Sequence, residues 1–330
     1  MTAPAPARTA LLVAPADAGL HAHAALRRRA LERLGWTVHH VNSAREGGLL
    51  ARLTGGSDLR TRLARALDAA RPDLVLVAGE HALGADTVAA LRPRTAARWV
   101  AWFPHGLESA EALWEEAQAY DRVFASGSDV AGLLAERRRD APDWLAPACD
   151  PSVHRPLRTG GEFRANVVFA GRATARREAL LVQLVEFGLA VWGPGWRGTS
   201  LRDYCRGERM VMDDFLRAYG GASVAVNIHH TADGALAGRD TGCNRRVFEL
   251  AAIGAAQVVD DRADLHGAFT EGEEVRVFRS AHELRAHVEA LLHDLPGAEA
   301  MGEAARRRAI GEHTYMHRLR RLVRAVGFAG

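Results

Sequence analysis

Lysine is absent: all 43 basic side chains of this 330-residue chain are arginine. That excludes a P-loop NTPase relying on its lysine, a Schiff-base aldolase and any enzyme anchoring pyridoxal phosphate on lysine. A high-GC genome accounts for the bias, but the chemical corollary holds regardless. Phosphate here must be gripped by guanidinium forks and backbone amides. Cysteine is scarce: Cys149, Cys205 and Cys243 are odd in number, widely spaced and form no Cys-x-x-Cys pair. This excludes a disulfide framework and a thiolate zinc site, and points to a reducing compartment. Apolar runs such as Leu250–Val259 fall short of the roughly 20 residues of a membrane helix. No basic residue precedes Arg8, so the start lacks the charged segment of a secretory signal. No Gly-x-Ser-x-Gly elbow is present, which counts against an α/β-hydrolase. A net charge of +3 is too mild to argue for nucleic acid. The expectation is a cytoplasmic protein with no membrane span and no nucleic-acid partner.

What is present is ordinary in bulk, with 48% hydrophobic and 25% charged residues, and the length suits roughly two domains. Short apolar runs alternate with helical patterns. Thr9–Ala14, Thr37–Val41, Asp73–Ala78, Arg98–Phe103 and Arg122–Ala125 read as strands, with helices near His21–Leu34 and Asp129–Arg138. Near-continuous apolar strands separated by helices predict a parallel sheet covered on both faces. Arg155–Phe163 reads as a linker, after which the pattern restarts. Asn166–Ala170, Leu189–Trp192, Ala222–Ile228 and Ala256–Val259 are strands, Arg176–Phe187 is a helix, and another helix begins near Cys243. The reading is α/β: two Rossmann-like domains facing a cleft, with ligands beyond the carboxyl ends of the strands.

Three segments carry candidate chemistry. Gly193-Pro194-Gly195-Trp196-Arg197-Gly198 satisfies G-x-G-x-x-G after a strand. It does not open a helix, so it reads as a glycine turn beside a ligand rather than a dinucleotide fingerprint. In the strand-to-helix turn Phe169–Arg177, Gly171 permits close backbone approach, and Arg172, Arg176 and Arg177 crowd a helix N-terminus. Arginine there opposes the macrodipole, a conflict that a bound phosphate resolves. In Gly238–Gly254, Asp240 or Thr241 can cap a helix that Gly254 ends. Arg245 and Glu249 are one turn apart, in the weaker order for an ion pair. A division of labour explains them better: Arg245 meets phosphate, and the Glu249 carboxylate accepts from vicinal ribose hydroxyls.

The run Asn244-x-Arg-x-Phe-Glu-x-x-Ala-x-Gly, then Val258-Val259-Asp260, Phe269-x-x-Gly-Glu-Glu and His313-Thr314-Tyr315 with Arg318 resembles the C-terminal half of bacterial spore-maturation CgeB-like glycosyltransferases of the GT-B superfamily. Asn166–Arg177, Trp192–Trp196, Tyr120–Phe124 and Ala146-Pro147-x-x-Asp150-Pro151 extend the resemblance over roughly Tyr120 to Arg321. It implies an N-terminal acceptor-side domain over 1–155 and a C-terminal domain over 156–314 that holds a nucleoside-diphosphate sugar. The helix over 315–330 would pack back on the first domain. The sugar nucleotide is a substrate and no cofactor is expected; the acceptor is unidentified. The resemblance assigns Glu249 to the ribose, the loop at Trp192–Trp196 with Gly193 to the base, and Arg172, Arg176 or Arg177 to the diphosphate, with Gly171 also in the donor set. Thr241 and Asn244 join the donor set. Relatives often carry a second glutamate eight positions before the ribose one, where this chain has Thr241. Of the adjacent pair His229-His230, whose side chains point to opposite faces of a strand, one is taken to touch the donor sugar, here His229. No Asp-x-Asp occurs, which argues against a metal-dependent GT-A enzyme. His105, just past a strand end in Trp-Phe-Pro-His-Gly, is the candidate general base. The rival readings are a catalytically silent nucleotide-sugar-binding subunit and a GT-B-fold sugar-nucleotide epimerase.

Overall fold

The computed structural model describes residues 8–16, 23–44, 58–79, 83–104, 110–137, 140, 142–157, 159–230 and 240–329. His105, the helix start at His21, and Gly238 with Arg239 lie outside the described residues. The chain divides into two compact units. The first comprises Met1–Ala146, Ala232–Gly242 and Tyr315–Gly330; the second comprises Pro147–Thr231 and Cys243–Thr314.

The first unit is built on a six-stranded sheet in the order β2-β1-β3-β4-β5-β6. Its strands are β1 (Thr9–Ala14), β2 (Thr37–Asn42), β3 (Leu74–Ala78), β4 (Arg98–Phe103), β5 (Arg122–Ala125) and β6 (Asp143–Trp144). Every pairing is parallel. Its helices are α1 (His23–Arg33), α2 (Leu59–Ala70), α3 (Ala85–Leu91), α4 (Ala110–Gln118) and α5 (Ser128–Ala135). Apolar burial dictates the arrangement, since β3 is buried along its whole length and β4 along all but its first residue. The Tyr120-Asp121 motif is architectural: the Tyr120 hydroxyl donates to Glu116 at 2.8 Å, and an Asp121 oxygen accepts from the Trp99 N–H at 2.8 Å.

The second sheet runs β12-β11-β10-β7-β8-β9. It comprises β7 (Ala165–Ala170), β8 (Leu189–Trp192), β9 (Cys205–Gly207), β10 (Ala222–Asn227), β11 (Gln257–Asp260) and β12 (Arg276–Phe278). All its pairings are parallel too. Helices α6 (Ala175–Leu181), α7 (Met212–Gly220), α8 (Arg246–Ile253), α9 (Ala281–His293) and α10 (Leu295–Glu312) cover it. The last helix, α11 (Tyr315–Ala325), belongs to the first unit. It buries Leu319, Leu322 and Val323, and Arg318 donates to the Ala146 carbonyl at 2.8 Å.

The strand readings at Thr9–Ala14, Arg98–Phe103, Arg122–Ala125 and Leu189–Trp192 match the structure residue for residue. The helix read over Arg176–Phe187 is instead α6 followed by a 3-10 stretch, Val182–Phe187. Edge strands β6, β9 and β12 are two or three residues long, too short to carry a hydrophobic period.

Candidate functional site

Counted from β7, the second sheet has the order 3-2-1-4-5-6 of a complete doubly wound sheet, with its switch point between β7 and β10. Ligands bind in the crevice that such a switch opens beyond the strand ends. The side chains gathered here are charged. Arg246 donates to the Ala170 carbonyl at the end of β7 (2.9 Å), and its guanidinium lies 4.5 Å from the Phe215 ring centre. Arg177 bridges the same gap, donating to Arg172 O (2.9 Å) and to Ile228 O just past β10 (2.7 Å). Burial, reinforced by the nearby Arg246 charge, pushes the Arg177 pKa down to about 10. Arg177 thus stays cationic at neutral pH while its two terminal nitrogens donate to the main chain.

Gly193 and Gly171 meet back to back. At φ +127° a Cβ on Gly193 would overlap the Gly171 carbonyl, so two strand-end loops share one narrow space. Trp196 is fully buried and donates to Gly171 O at 2.8 Å. Trp192 is also buried, with the Arg206 guanidinium 5.6 Å from its ring centre. The G-x-G-x-x-G run forms turns and a 3-10 segment, Trp196–Gly198, and opens no α-helix.

Helix α8 carries the carboxylate. It is apolar nearly all round, with Val247, Phe248 and Leu250 through Ile253 buried, so core packing rather than surface amphipathicity forms it. Gly254 ends it, donating back to Leu250 and Ala251 carbonyls. Its start differs from the sequence reading: neither Asp240 nor Thr241 caps it. Asn244 Oδ1 accepts from the Val247 N–H at 3.2 Å, and the Asn244 amide is fixed by reciprocal bonds with Asn227 (3.0 and 3.2 Å). The Thr241 hydroxyl is engaged elsewhere. It belongs to the first unit, accepts from the Asp129 N–H at 2.9 Å and bonds Ser128 Oγ at 2.8 Å, capping α5 from a distant part of the chain.

Glu249 is 3% exposed. Its Oε1 lies 3.3 Å from Arg245 Nε, and its Oε2 lies 3.4 Å from Arg246 Nε. The ion pair that the sequence reading set aside is therefore made, with Arg246 as a second cation that the reading passed over. A buried carboxylate needs such partners, because an isolated one would be strongly penalised.

The ends of β10 and β11 are joined by a second charged ladder. Asp260 accepts from His229 through both the backbone N–H (2.8 Å) and Nδ1 (2.6 Å), and from Arg176 (2.9 Å). Burial by itself would raise the Asp260 pKa. The His229 hydrogen bonds and the Arg176 charge outweigh it and hold the carboxyl well below the usual carboxylate range. Arg176 also donates to the His229 carbonyl and lines a groove of about 540 Å³ with Arg262, Phe278 and Ser280. Of the three arginines in the first loop, Arg172 is the exposed one whose side chain makes no ion pair among the described residues. The structure thus joins Gly171 to Gly193, His229 to Arg176, and Arg245 to Glu249. Sequence reading gave no role to Arg246, Asp260 or His154. The first had a signal in its i,i+3 spacing to Glu249. Among the described residues no three His, Cys, Asp or Glu side chains cluster to hold a metal ion, and no helix is long and apolar enough to cross a membrane.

Two parallel six-stranded sheets clothed by helices are the architecture of GT-B glycosyltransferases, and solved structures of that class align with nearly the whole chain. A glycosyltransferase from Rickettsia africae aligns with TM-score 0.68 at 12% identity, over 97% of this chain and 98% of that one. Sucrose-phosphate synthase from Thermosynechococcus elongatus gives 0.68 at 13%, over 97% and 99%. Anabaena HepE, solved in complex with UDP and glucose, gives 0.66 at 11%, over 97% and 99%. At these identities the likeness is one of fold. Residues 174–324 match a family model described as glycosyl transferase-like. No curated protein matches the chain.

Proposed function

We propose that the chain is a metal-independent glycosyltransferase, CgeB-like in type, that binds a nucleoside-diphosphate sugar in its second unit. The observation that carries this reading is Glu249, a buried carboxylate flanked by Arg245 and Arg246 on the helix beside the β7/β10 switch point. Two carboxylate oxygens suit two ribose hydroxyls, and arginine suits the phosphates that follow them in a nucleotide. Arg245 and the exposed Arg172 neutralise the diphosphate with backbone amides, and the loop from Trp192 to Trp196 takes the base. In the reaction, an acceptor oxygen bonds to the anomeric carbon as its bond to phosphate breaks. The acceptor proton goes to a base, for which His105 remains the candidate, and the nucleoside diphosphate leaves with its charge stabilised. Three cysteines outside any disulfide suit the cytoplasm.

Thermal-shift titration with UDP, GDP, TDP and CDP, followed by donor hydrolysis, tests this. At least one nucleotide should stabilise the fold, and Glu249→Gln should weaken it by about tenfold to a hundredfold while far-UV circular dichroism is retained. No stabilisation by any of the four would sink the reading. One observation favours the silent-subunit alternative: Thr241 occupies the position of a relative's glutamate and spends its hydroxyl on α5. Binding without turnover would support it.

A further inference from the structure

The two neighbours of β7 leave it at different points. Its pairing with β8 reaches the last residue, Ala170 opposite Trp192, whereas its pairing with β10 ends at Val168 opposite Ala225. The Gly171 N–H donates to the Trp192 carbonyl at 2.9 Å, on the β8 side. Successive residues of a strand turn their peptide groups to opposite edges, so those of Ala170 face the edge that β10 has left. Backbone groups in such a place need partners from elsewhere.

Two side chains supply them. The Ala170 N–H donates to the Tyr219 hydroxyl oxygen at 2.8 Å, and Arg246 Nη1 donates to the Ala170 carbonyl at 2.9 Å. Tyr219 and Phe215 lie one turn apart on α7, both 1% exposed, with ring centres 4.8 Å apart. The Arg246 guanidinium lies 4.5 Å from the Phe215 ring centre and 5.9 Å from that of Tyr219. Burial raises the Tyr219 pKa and the Arg246 charge opposes that rise, so the ring stays a neutral phenol. Burying a guanidinium is a costly way to satisfy one peptide, since an apolar arrangement of similar volume is often as stable. Such a brace calls for a use.

The turn that follows is pinned at almost every step. The Gly171 carbonyl accepts from Trp196, the Arg172 carbonyl accepts from Arg177 at 2.9 Å, and the Ala173 N–H donates to the Pro194 carbonyl at 3.0 Å. The Arg172 side chain is exposed and makes no ion pair among the described residues. A turn fixed in this way costs little ordering when a ligand arrives, and it aims its one exposed guanidinium.

We propose that Tyr219 and Arg246 are positioning residues for the donor diphosphate: they stand in for the strand that β7 lacks beyond Val168 and hold the Gly171–Arg172 turn in its ligand-ready form. This rests on the reading that the second unit binds a nucleoside diphosphate at the β7/β10 switch point. It gives the aromatic pair of α7 a part in donor recognition without contact to the donor.

The test titrates UDP and uridine into wild type and Tyr219→Phe, followed by NMR, with the diphosphate and nucleoside of another base substituted if the screen selects it. Wild type should prefer UDP by about tenfold or more, because charge-assisted hydrogen bonds carry the difference. Tyr219→Phe removes one hydroxyl and should weaken UDP by about threefold to tenfold, with uridine unchanged. Arg246→Lys keeps a charge beside Glu249 but loses the fork, and should also weaken UDP. In the double variant the combined loss should fall short of the product of the two, since both act on one peptide. Losses that multiply in full overturn the proposal. Equal weakening of UDP and uridine in Tyr219→Phe is a packing effect and overturns it too. Should the phenylalanine variant fail to fold, wild type still decides through amide exchange: the Ala170 N–H should exchange slowly in the free protein and no more slowly with UDP. Protection that arises only with UDP means that the nucleotide orders the turn, and overturns the proposal. A wild type that does not prefer UDP, or binds none of the nucleotides, defeats the donor reading and the proposal with it. A preference that survives intact in Tyr219→Phe defeats the proposal alone.

Discussion

Each unit buries a glutamate, and the two are held differently. Glu116 in the first unit is 1% exposed and accepts from the Leu83 and Gly84 N–H groups and the Tyr120 hydroxyl. Those partners are main chain and a buried phenol, which fix the start of α3 onto α4. Burial, with the adjacent Glu116 charge and hydrogen bond, pushes the Tyr120 pKa well up, so the phenol stays protonated and donating. Glu249 in the second unit lies among Arg245, Arg246 and His154. The switch points differ in the same sense. Between β1 and β3, Gly79 packs on Pro15, and on the other side of β1 the β2 end residue Asn42 accepts from the Ala16 and Ala44 N–H groups. Between β7 and β10 stand Arg177 and Arg246. A carboxylate bonded to backbone has nowhere to go, whereas one among side-chain cations can exchange a partner for a ligand. Similar parallel sheets thus hold one carboxylate by main chain and a phenol and the other by side-chain cations.

Asp260 offers the largest way to break that contrast. Asp260→Ala strips two donors of the buried His229 and the Arg176 partner, and should cost about 3–5 kcal/mol in urea denaturation at pH 7. Asp260→Asn keeps an acceptor and should cost less. The sign with pH follows from the depressed folded pKa. The ionic contribution is fully present above the unfolded carboxyl value of about 3.9 and is lost as pH falls through the folded one. The stability gap between wild type and Asp260→Asn should therefore narrow as pH drops below about 4. A gap that is constant from pH 7 to pH 3 would show that the ladder contributes nothing through charge.

Gly193 sharpens the contrast at intermediate size. Alanine there must adopt φ +127° and displace the Gly171 carbonyl, at a cost of about 2–3 kcal/mol. Gly35 in the first unit has φ +85° and open space around a Cβ, so its alanine variant should lose only about 1 kcal/mol. Equal thermal shifts for the two would mean that the strand-end loops of the second unit do not depend on close approach.

How far the sequence discloses this site depends on the range of each interaction. Apolar runs report burial directly, so β1, β4, β5 and β8 were legible to the residue. The Gly171 turn and the Arg245–Glu249 spacing were legible because both are local. The partners of Arg177 were not: Ile228 lies 51 residues away, and which carbonyls a guanidinium meets is decided by sheet order. Thr241 was misplaced as a cap because Ser128 and Asp129, 113 and 112 residues distant, claim its hydroxyl. His154 gave no periodic signal, since a turn that folds a ring back on its own backbone leaves no pattern in composition.

The smallest expected effect separates binding from architecture within one loop. Arg172 and Arg177 share charge and lie five residues apart, but only Arg177 has its guanidinium spent on two carbonyls and set 5.4 Å from the Phe169 ring centre. Arg177→Met keeps the stem and removes the fork, so it should lower the melting temperature by several degrees, about 1–2 kcal/mol. Arg172→Ala should leave the melting temperature within about 0.5 kcal/mol of wild type, as exposed substitutions do. It should instead weaken nucleoside diphosphate by about threefold to tenfold, with nucleoside affinity unchanged, because one solvated guanidinium–phosphate contact is lost. Adding salt should shrink that difference. If Arg172→Ala binds diphosphate as wild type does, the phosphates are held by Arg245 and backbone amides, and the loop arginines of this lysine-free chain serve the fold.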